Sequence, residues 1–438
     1  MKVLKFGGTS VGSAARMKDV AKLVCDGKRK IVVLSAMSGT TNTLVEIADY
    51  LYKKNPDGAN EIINTLEQKY DKVIDELLSN ADSIKQCKEV IKSHFDYIRS
   101  FTESIFTLFE EKIILAQGEL MSTAMFNFYL KEQGKNSVLL PALDYMRTDK
   151  NSEPDSSYIK EHIAEQINKL PKADLYITQG YICRNAYGDI DNLQRGGSDY
   201  TASLIGAAIN AEEIQIWTDI DGMHNNDPRY VEKTSPISNL HFEEAAELAY
   251  FGAKILHPTC ILPAKIANIP VRLLNTMEPN AYGTLISNKT ERGKIKAVAA
   301  KDGITAIKIK SGRMLLAYGF LRKIFEIFET YKTSIDIITT SEVGVSVTLD
   351  NEKNLTEIVN ELKKFGVVTV DKDMVIICVV GDLVSENVGF ESRIVNAMRD
   401  IPVRLISYGG SNYNVSFVVS ASDKKRALNA LSDYLFNN

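Results

Sequence analysis

The stretch KVLKFGGTSVGS, from Lys2 to Ser13, decides how the first part of the chain folds. The apolar run 3–6 is typical of a buried strand, and the Gly-Gly-Thr-Ser turn after it leads into a helix. Adjacent glycines let backbone N–H groups point inward beside a helix N-terminus, where they can bind a phosphate. Lys5 can add a positive charge there. Taken alone, the pattern leaves two interpretations open, a phosphate site or a purely structural turn.

Three further polar loops follow predicted strands of the same sheet. Residues 30–35 form a β-branched strand that ends in SAMSGTTN, residues 35–42, and the strand-helix-strand order predicts a parallel sheet. RGGSDYTA, residues 195–202, is a second Gly-Gly turn that enters a helix, and TDIDG, residues 218–222, follows another strand. Because ligands of open α/β sheets collect at the carboxyl ends of the strands, we expect these loops to line one crevice.

Length and composition narrow the class of protein. The chain has 438 residues, of which 45% are apolar and 25% charged, and its net charge is −4. This length predicts about two to four globular domains. The slightly negative net charge does not indicate binding to nucleic acid or to an anionic membrane. No apolar run approaches a membrane span, and no signal peptide is seen. The five cysteines are scattered without a CxxC pair, which predicts a cytoplasmic protein with free thiols and no metal site.

A long helical segment interrupts the predicted sheet. From about residue 43 to residue 134, apolar residues recur at helical spacing, which predicts a helical excursion. Glu119 lies in the last helix of this excursion, among small and apolar neighbours. Two interpretations are open: the carboxylate is solvated or paired within the protein, or it is a counter-charge for a ligand. Residues 242–257 show the same spacing and predict one helix that ends at His257.

Beyond about residue 290, short strands and helices follow each other in the order βαββαβ, twice. The first unit begins with MLLA, residues 314–317, and ends with VVTVD, residues 367–371. The second begins with MVIICVVG, residues 374–381, and stops one strand short. We expect KAVAAKDGITAIKIKS, residues 296–311, to cross over and complete the second sheet, so that the two small domains interlock.

The residues at the predicted crevice suit the transfer of a phosphoryl group. One Gly-Gly turn can hold a triphosphate and the other a second anion. Arg195 offers a planar fork to a carboxylate, and Glu119 offers a counter-charge to an ammonium group. Asp199 can orient groups around the phosphoryl, and Lys5 can offset its charge. A carboxylate that accepts phosphate is already ionised at neutral pH, so no general base is required.

Six motifs, in this order along the chain, resemble those of the aspartate kinases of the amino-acid-kinase superfamily. They are KFGGTSV (5–11), SAMSGTTN (35–42), GELMST (118–123), RGGSDYTA (195–202), WTDIDGMHNNDPR (217–229) and FGAKILHP (251–258). The two βαββαβ units are similar to ACT domains, which often bind regulatory amino acids.

The resemblance implies an α/β fold, with a mostly parallel sheet sandwiched by helices and two interlocked ferredoxin-like ACT domains. It places the catalytic domain at residues 1–290, the first ACT domain at 313–372, and the second at 293–312 plus 373–438. The implied reaction transfers phosphate from ATP, which carries Mg²⁺, to the side-chain carboxylate of L-aspartate. The product, 4-phospho-L-aspartate, is the first intermediate towards lysine, threonine and methionine.

Residue roles follow from the resemblance at the matching positions. It implies catalysis by Lys5 and Asp199. Substrate binding is implied for Thr41, Glu119, Tyr181, Arg195 and Ser198. ATP binding is implied for Lys5, Gly7, Gly8, Ser10, Ser35, Thr218, Asp219, Gly222, Met223, His224, Arg229 and Lys254. The chain departs from the family pattern at DIDNLQ, residues 189–194, where members often have a Thr-rich, Gly-containing run, and at His224, where many have Tyr.

A regulatory site is implied in the first ACT domain. GFLRKIF (319–325) with SIDIITTSE (334–342) resembles the effector-binding edge of lysine-inhibited members. The resemblance implies inhibition by lysine and a homodimer or tetramer assembled through the ACT domains. Asp336 and Glu342 either meet the extra cation of lysine or are solvated loop charges. The implied effector residues are Met314, Gly319, Phe320, Leu321, Ser334, Asp336, Thr340, Ser341 and Glu342.

Two other functions remain open. A glutamate kinase or another carboxylate kinase would keep the fold and change the substrate, because Arg195 and Glu119 suit any amino acid, although the ACT pair favours aspartate. A catalytically silent amino-acid sensor would keep the ACT domains, but the set of Lys5, Glu119 and Asp199 argues against it.

Overall fold

The contacts between strands and helices divide the chain into two units. The computed structural model describes residues 1–103, 105–193, 196–252, 256–312, 318–383 and 388–436. The first unit contains Met1–Gly222 and Leu256–Asn288, and the second contains Met223–Ile255 and Lys289–Asn438.

The strands of the described chain, in order, are β1 (Lys2–Phe6), β2 (Lys30–Leu34), β3 (Ser137–Leu139), β4 (Leu175–Gln179), β5 (Ile182–Arg184), β6 (Ile190–Asn192), β7 (Ile214–Thr218), β8 (Asn239–His241), β9 (Val271–Asn275), β10 (Thr284–Ser287), β11 (Ile295–Lys310), β12 (Ile338–Ser341), β13 (Gly344–Leu349), β14 (Val367–Gly381), β15 (Val403–Ser407) and β16 (Asn414–Ser420). The α-helices are α1 (Ala14–Val24), α2 (Thr40–Tyr52), α3 (Pro56–Leu77), α4 (Ala81–Ser100), α5 (Leu108–Glu132), α6 (Ser156–Lys169), α7 (Gly197–Ala208), α8 (Phe242–Tyr250), α9 (Pro258–Ile266), α10 (Phe320–Thr330), α11 (Leu355–Leu362), α12 (Phe390–Ala397) and α13 (Lys424–Phe436).

The sheet of the first unit runs in the order β3-β4-β2-β1-β7-β9-β10. Neighbours from β3 to β9 are parallel, and β10 runs antiparallel to β9. Lys5 of β1 lies beside Val33 of β2 and Ile216 of β7, so these strands end together. The loops after β1, β2, β4 and β7 therefore leave the same edge of the sheet, and the predicted fold class is confirmed.

Four helices, α2 to α5, form the predicted excursion between β2 and β3. One apolar cluster joins them and α1 to strands β1, β2 and β4. Helix α5 is buried along most of its length, which explains why its sequence is apolar on every side. Thr107 and Glu110 form a capping box at its N-terminus. Because α5 lies in the interior, it carries Glu119 into the core of the unit.

The second unit contains an antiparallel sheet in the order β12-β13-β11-β14-β16-β15. Its two long strands, β11 and β14, serve both halves of the sheet. Residues 306–310 of β11 lie between β13 and residues 367–371 of β14, whereas residues 295–301 pair with residues 376–381 of β14. Strand β16 then pairs with the second half of β14. This is the predicted crossover that interlocks the two halves; the domain boundaries themselves stay a prediction.

Two elements of the structure differ from the sequence-based predictions. VVTVD and MVIICVVG form one strand, β14, because Asp373, at a φ of 54°, bends the strand between them without ending it. The helix predicted over 242–257 ends at Tyr250, since Gly252 has a φ of 131° and its Cα packs so tightly that a Cβ would lie 2.2 Å from the carbonyl oxygen of Ala300. MLLA, residues 314–317, lies outside the described residues.

None of the described helices combines the length and the apolar character that a membrane span requires.

Candidate active and regulatory sites

The loop after β1 lies directly against the loop after β2. The backbone N–H of Ser38 donates to the carbonyl oxygen of Gly8 at 3.2 Å, and a Cβ on Gly8 would lie 3.0 Å from the carbonyl oxygen of Ala36. Neither Gly7 nor Gly8 has a positive φ. The missing side chain of Gly8 therefore leaves room for the close approach of the two loops.

Helix α5 packs against the loop that follows β2. A Cβ on Gly118 would lie 2.8 Å from the Cβ of Ala36, so the helix and the loop touch there. The Ser122 hydroxyl donates to the carbonyl oxygen of Ser35 at 2.8 Å, and the Ala36 N–H donates to Glu119 Oε1 at 3.2 Å. These contacts fix one oxygen of the Glu119 carboxyl group.

The other oxygen of Glu119 is available to a ligand. Oε2 is buried and has no hydrogen-bond partner within the described part of the chain. Burial raises the pKa of Glu119 to about 8, and the hydrogen bond from Ala36 only partly offsets this. A cation beside Oε2 would stabilise the ionised carboxylate, so the group is suited to bind an ammonium.

The second Gly-Gly turn begins α7, as predicted. Gly196 has a φ of 77°, in the left-handed region that favours glycine, and a Cβ there would lie 2.2 Å from the sulfur of Cys260. The Ser35 hydroxyl donates to Ser198 Oγ at 2.9 Å, which joins this turn to the loop after β2. Gly180, after β4, lets Ser198 approach, since a Cβ would lie 2.4 Å from Ser198 Oγ.

An ion pair joins β1 to α7. Lys5 Nζ lies 2.7 Å from Asp199 Oδ1, and both side chains are mostly buried, with exposed fractions of 12% and 16%. The amine also lies close to the first Gly-Gly turn, 3.5 Å from the position that a Cβ on Gly7 would take. The two predicted catalytic residues are therefore in contact and hold each other in place.

A cleft of about 380 Å³ opens between these loops. Six predicted site residues line it: Gly8, Ser35, Thr41, Glu119, Tyr181 and Ser198. Ser10 lies apart from the cleft, where its hydroxyl hydrogen-bonds that of Thr276 at 2.8 Å. Arg195 and Lys254, two further predicted residues, lie outside the described residues.

The predicted nucleotide loop is divided between the two units. In the first unit, the Thr218 hydroxyl donates to Asp219 Oδ1 at 3.2 Å, and Gly222 has a φ of 115°. Met223, His224 and Arg229 belong to the second unit. There, Met223 is buried, His224 Nδ1 lies 2.8 Å from the Thr234 hydroxyl, and Arg229 forms an ion pair with Asp227.

Within the unusual sequence DIDNLQ, Ile190–Asn192 form strand β6 of a small hairpin with β5, and Gln194 lies outside the described residues. Asp191 is paired with Lys112 of α5, with 2.7 Å between Nζ and Oδ1. Asp189 hydrogen-bonds the side chain of Asn185 within the hairpin. Both acidic residues are thus held by protein contacts.

The predicted regulatory residues lie in the second unit. Gly319, with a φ of 77°, Phe320 and Leu321 begin α10, and Met314 lies outside the described residues. Asp336 Oδ1 accepts from Lys301 Nζ and from the Tyr250 hydroxyl, each at 2.7 Å, and Lys301 also pairs with Asp350 at 2.9 Å. The side chain of Asp336 is 1% exposed, so its interpretation as a solvated loop charge is wrong. The remaining predicted residues are exposed: Ser334, Thr340, Ser341 and Glu342.

Sequence reasoning missed several residues that shape these sites. Gly118 and Ser122 lie in the GELMST motif, so the sequence indicated that this segment belongs to the site. Their contacts with residues 35–36 are seen only in the structure. Thr276, Lys112 and Lys301 have no local signal, because their partners are distant in sequence.

Known proteins share this architecture. A model of the amino acid kinase family matches residues 1–275, and an ACT domain model matches residues 377–435. Lysine-sensitive aspartokinase 3 of Escherichia coli (strain K12) is 33% identical to this chain and covers 99% of both sequences. Two solved structures of E. coli aspartokinase III, one in complex with aspartate and ADP and one with lysine and aspartate, match with TM-scores of 0.81 at 33% identity. These matches cover 100% of this chain and 100% and 99% of those chains. The chain therefore belongs to the aspartokinase family.

Proposed function

We propose that the chain transfers the γ-phosphoryl group of ATP to the side-chain carboxylate of L-aspartate, giving ADP and 4-phospho-L-aspartate. The observation that carries the proposal is one cleft lined by Gly8, Glu119 and Ser198. The Lys5–Asp199 ion pair lies next to these residues in the chain, since Lys5 precedes the first Gly-Gly turn and Asp199 follows Ser198 in α7. Binding of both aspartate and ADP by the E. coli relative supports it. The reaction is then the first step towards lysine, threonine and methionine.

The reaction needs charge stabilisation more than proton transfer. An aspartate side-chain oxygen attacks the γ-phosphorus, the bond from that phosphorus to the bridging oxygen breaks, and ADP leaves with the electron pair. The attacking carboxylate is ionised at neutral pH, so no proton has to move. Asp199 holds Lys5 Nζ in place before ATP binds, and a cation fixed in advance offsets the charge of the transferred group at little reorganisation cost.

Substrate orientation follows from the charges of aspartate. The buried Oε2 of Glu119 accepts the α-ammonium group, and Arg195 binds a carboxylate. Thr41, Tyr181 and Ser198 line the remaining cleft. In the first unit, the residues proposed to contact ATP are Lys5, Gly7, Gly8, Ser35, Thr218, Asp219 and Gly222. Ser10 is left out of this set because it is buried and its hydroxyl hydrogen-bonds Thr276.

Mg²⁺ is proposed to arrive with the nucleotide and to offset the charge of its phosphates. Mg²⁺ usually keeps several waters and is held by phosphate oxygens with one or two carboxylates. Apart from Glu119, which is proposed to bind the substrate ammonium, the carboxylates among the proposed site residues are Asp199 and Asp219, and one or two carboxylates fit that mode. Across the residues that the structure describes, no group of three or more His, Cys, Asp or Glu side chains could hold a metal.

We expect acyl phosphate to form from aspartate and not from glutamate. The measurement traps the product with hydroxylamine, in the presence of ATP and Mg²⁺, with either amino acid as substrate. Product from glutamate alone would favour a glutamate kinase, and no product from either would contradict both kinase functions and favour a sensor.

We further propose that lysine inhibits the enzyme at the first ACT domain, and that the chain forms a homodimer or tetramer through its ACT domains. The E. coli relative is named lysine-sensitive and binds lysine in one structure. In this chain, Asp336 Oδ2 is buried and has no hydrogen-bond partner among the described residues. An incoming ammonium group at Oδ2 would give this oxygen a partner. Sedimentation velocity would test the assembly.

Variants of Asp336 and Lys301 should move lysine inhibition in opposite directions. Asp336→Asn removes the charge that attracts the effector, so the lysine concentration for half inhibition should rise about tenfold or more. Lys301→Met removes the internal cation that already neutralises Asp336, so that concentration should fall by about threefold. Inhibition curves at fixed aspartate give both values.

The matched control for this pair is Lys424→Met. Lys424 pairs with Asp302 at 2.7 Å and lies over the ring of Tyr230, 4.0 Å from its centroid, much as Lys301 lies 4.4 Å from that of Tyr250. This variant should leave the inhibition curve unchanged. Unaltered inhibition of Asp336→Asn would show that the effector does not use this carboxylate.

A further inference from the structure

The β5–β6 hairpin adjoins the substrate cleft through Tyr181, the residue that precedes it. Tyr181 precedes β5, lines the cleft and has a φ of 67°. Leu193 follows β6, and its N–H donates to the carbonyl oxygen of Tyr181 at 2.7 Å. The Tyr181 N–H in turn donates to the Thr201 hydroxyl at 3.0 Å. Any movement of the hairpin is therefore passed to Tyr181.

The hairpin is too small to hold itself in place. Each strand has three residues, and isolated two-stranded hairpins are marginally stable. Strand β5 is held by backbone hydrogen bonds of Arg184, which donates to Met146 and accepts from Thr148, each at 2.9 Å. Strand β6 is held by the ion pair between Asp191 and Lys112.

Lys112 and Glu119 lie on the same face of α5. They are seven residues apart, which is close to two turns, or about 10 Å along the axis. The helix therefore presents a cation to the hairpin and a carboxylate to the cleft. The Lys112 and Asp191 side chains are 30% and 13% exposed, so water screens the pair only in part.

We propose that Lys112 and Asp191 are positioning residues that set the separation between Tyr181 and Glu119, and thereby the affinity for the amino-acid substrate. Neither residue lines the cleft, so they act through the hairpin and the helix. The proposal rests on the proposed function of the cleft. It also gives a role to DIDNLQ, the segment in which the chain departs from the family pattern.

A double-mutant cycle tests the pair. Lys112→Met and Asp191→Asn should each raise the KM for aspartate about three- to tenfold, with kcat and the KM for ATP changed less than about twofold. The double variant should be no worse than the poorer single variant, because the two residues act as one unit. Added KCl should raise the aspartate KM of the wild type more than that of the double variant.

Lys88→Met is the matched control. Lys88 pairs with Asp75 at 2.8 Å and joins α4 to α3, away from the residues that line the cleft. It should leave the KM for aspartate unchanged. Effects that multiply in the double variant, or a lower Tm with an unchanged aspartate KM, would overturn the positioning role.

The wild-type assay separates this proposal from the proposed function. If the wild type makes acyl phosphate from aspartate, the cycle decides the role of the pair alone. If it makes none, the kinase proposal fails. The same four proteins titrated with aspartate by calorimetry then decide the positioning role, which requires about three- to tenfold weaker binding in each single variant and no further loss in the double variant.

Discussion

Replacing Lys5 with methionine is expected to lower kcat by about 10²–10³-fold, the loss that follows removal of one preorganised charge-stabilising group. Lys5 Nζ is fixed by Asp199 beside the first Gly-Gly turn, and the methionine side chain keeps the length without the charge. Because the charge acts on the phosphoryl during transfer, the fall should appear in kcat more than in the KM for aspartate. The hydroxylamine assay with both substrates saturating measures it.

Stability must be separated from catalysis in this variant. Without Lys5, the mostly buried Asp199 has lost its partner, which destabilises the fold. The double variant Lys5→Met, Asp199→Asn removes the unpaired charge and should regain thermal stability without regaining activity. Lys2→Met is the matched control, because Lys2 lies at the opposite end of β1 and pairs with Glu213 at 3.0 Å. Activity of Lys5→Met within about threefold of wild type would exclude the proposed role.

The KM for aspartate is expected to fall roughly tenfold between pH 7 and pH 8.5, because the substrate ammonium requires the ionised form of Glu119. Burial raises the pKa of this carboxyl group to about 8, so it is mostly protonated at pH 7 in the free enzyme. Glu119→Gln should raise the KM about 100-fold at pH 8.5 and remove the pH dependence, since the amide does not titrate. Initial rates across this pH range measure both effects.

The same pKa shift has a consequence for stability with a definite sign. The pKa of Glu119 is higher in the folded than in the unfolded chain, so its favourable contribution to folding is fully present below about pH 4.5. It is lost as the pH rises to about 8. As the pH rises from about 4.5 to about 8, the wild type should therefore lose Tm relative to Glu119→Gln, which has no carboxyl group to titrate at this position. Glu132→Gln, at the far end of α5, is the control and should change neither the KM nor its pH dependence.

The two Gly-Gly turns were predictable because each combines a strand before it with a helix after it. The place of Glu119 in a helix among small and apolar neighbours was also predictable, but this pattern left open whether the carboxylate is solvated, paired or a counter-charge for a ligand. The reason for Gly8 was not predictable. Its role depends on the distance to Ala36, and a sequence pattern carries no information on how closely two loops pack.

Other features could not be predicted because local signals were absent or misleading. Helix α9 begins with Pro258 and contains Pro263, a composition that indicates a loop. The charged segment 371–373 resembles a turn, although β14 continues through it. Lys301 and Asp336 lie far apart in sequence, so their contact appears only in the folded sheet.

The shared strand β11 places a constraint on folding during synthesis. This strand leaves the ribosome before β13 and β14, yet it becomes hydrogen-bonded to both. Until they arrive, its two sides offer unpaired N–H and C=O groups, the kind of edge that invites pairing with another chain. The C-terminal half of the sheet cannot close without residues 295–301, which are made long before its other strands. Neither half is therefore a self-contained folding unit, and a nascent chain halted between β11 and β14 is the species most exposed to aggregation.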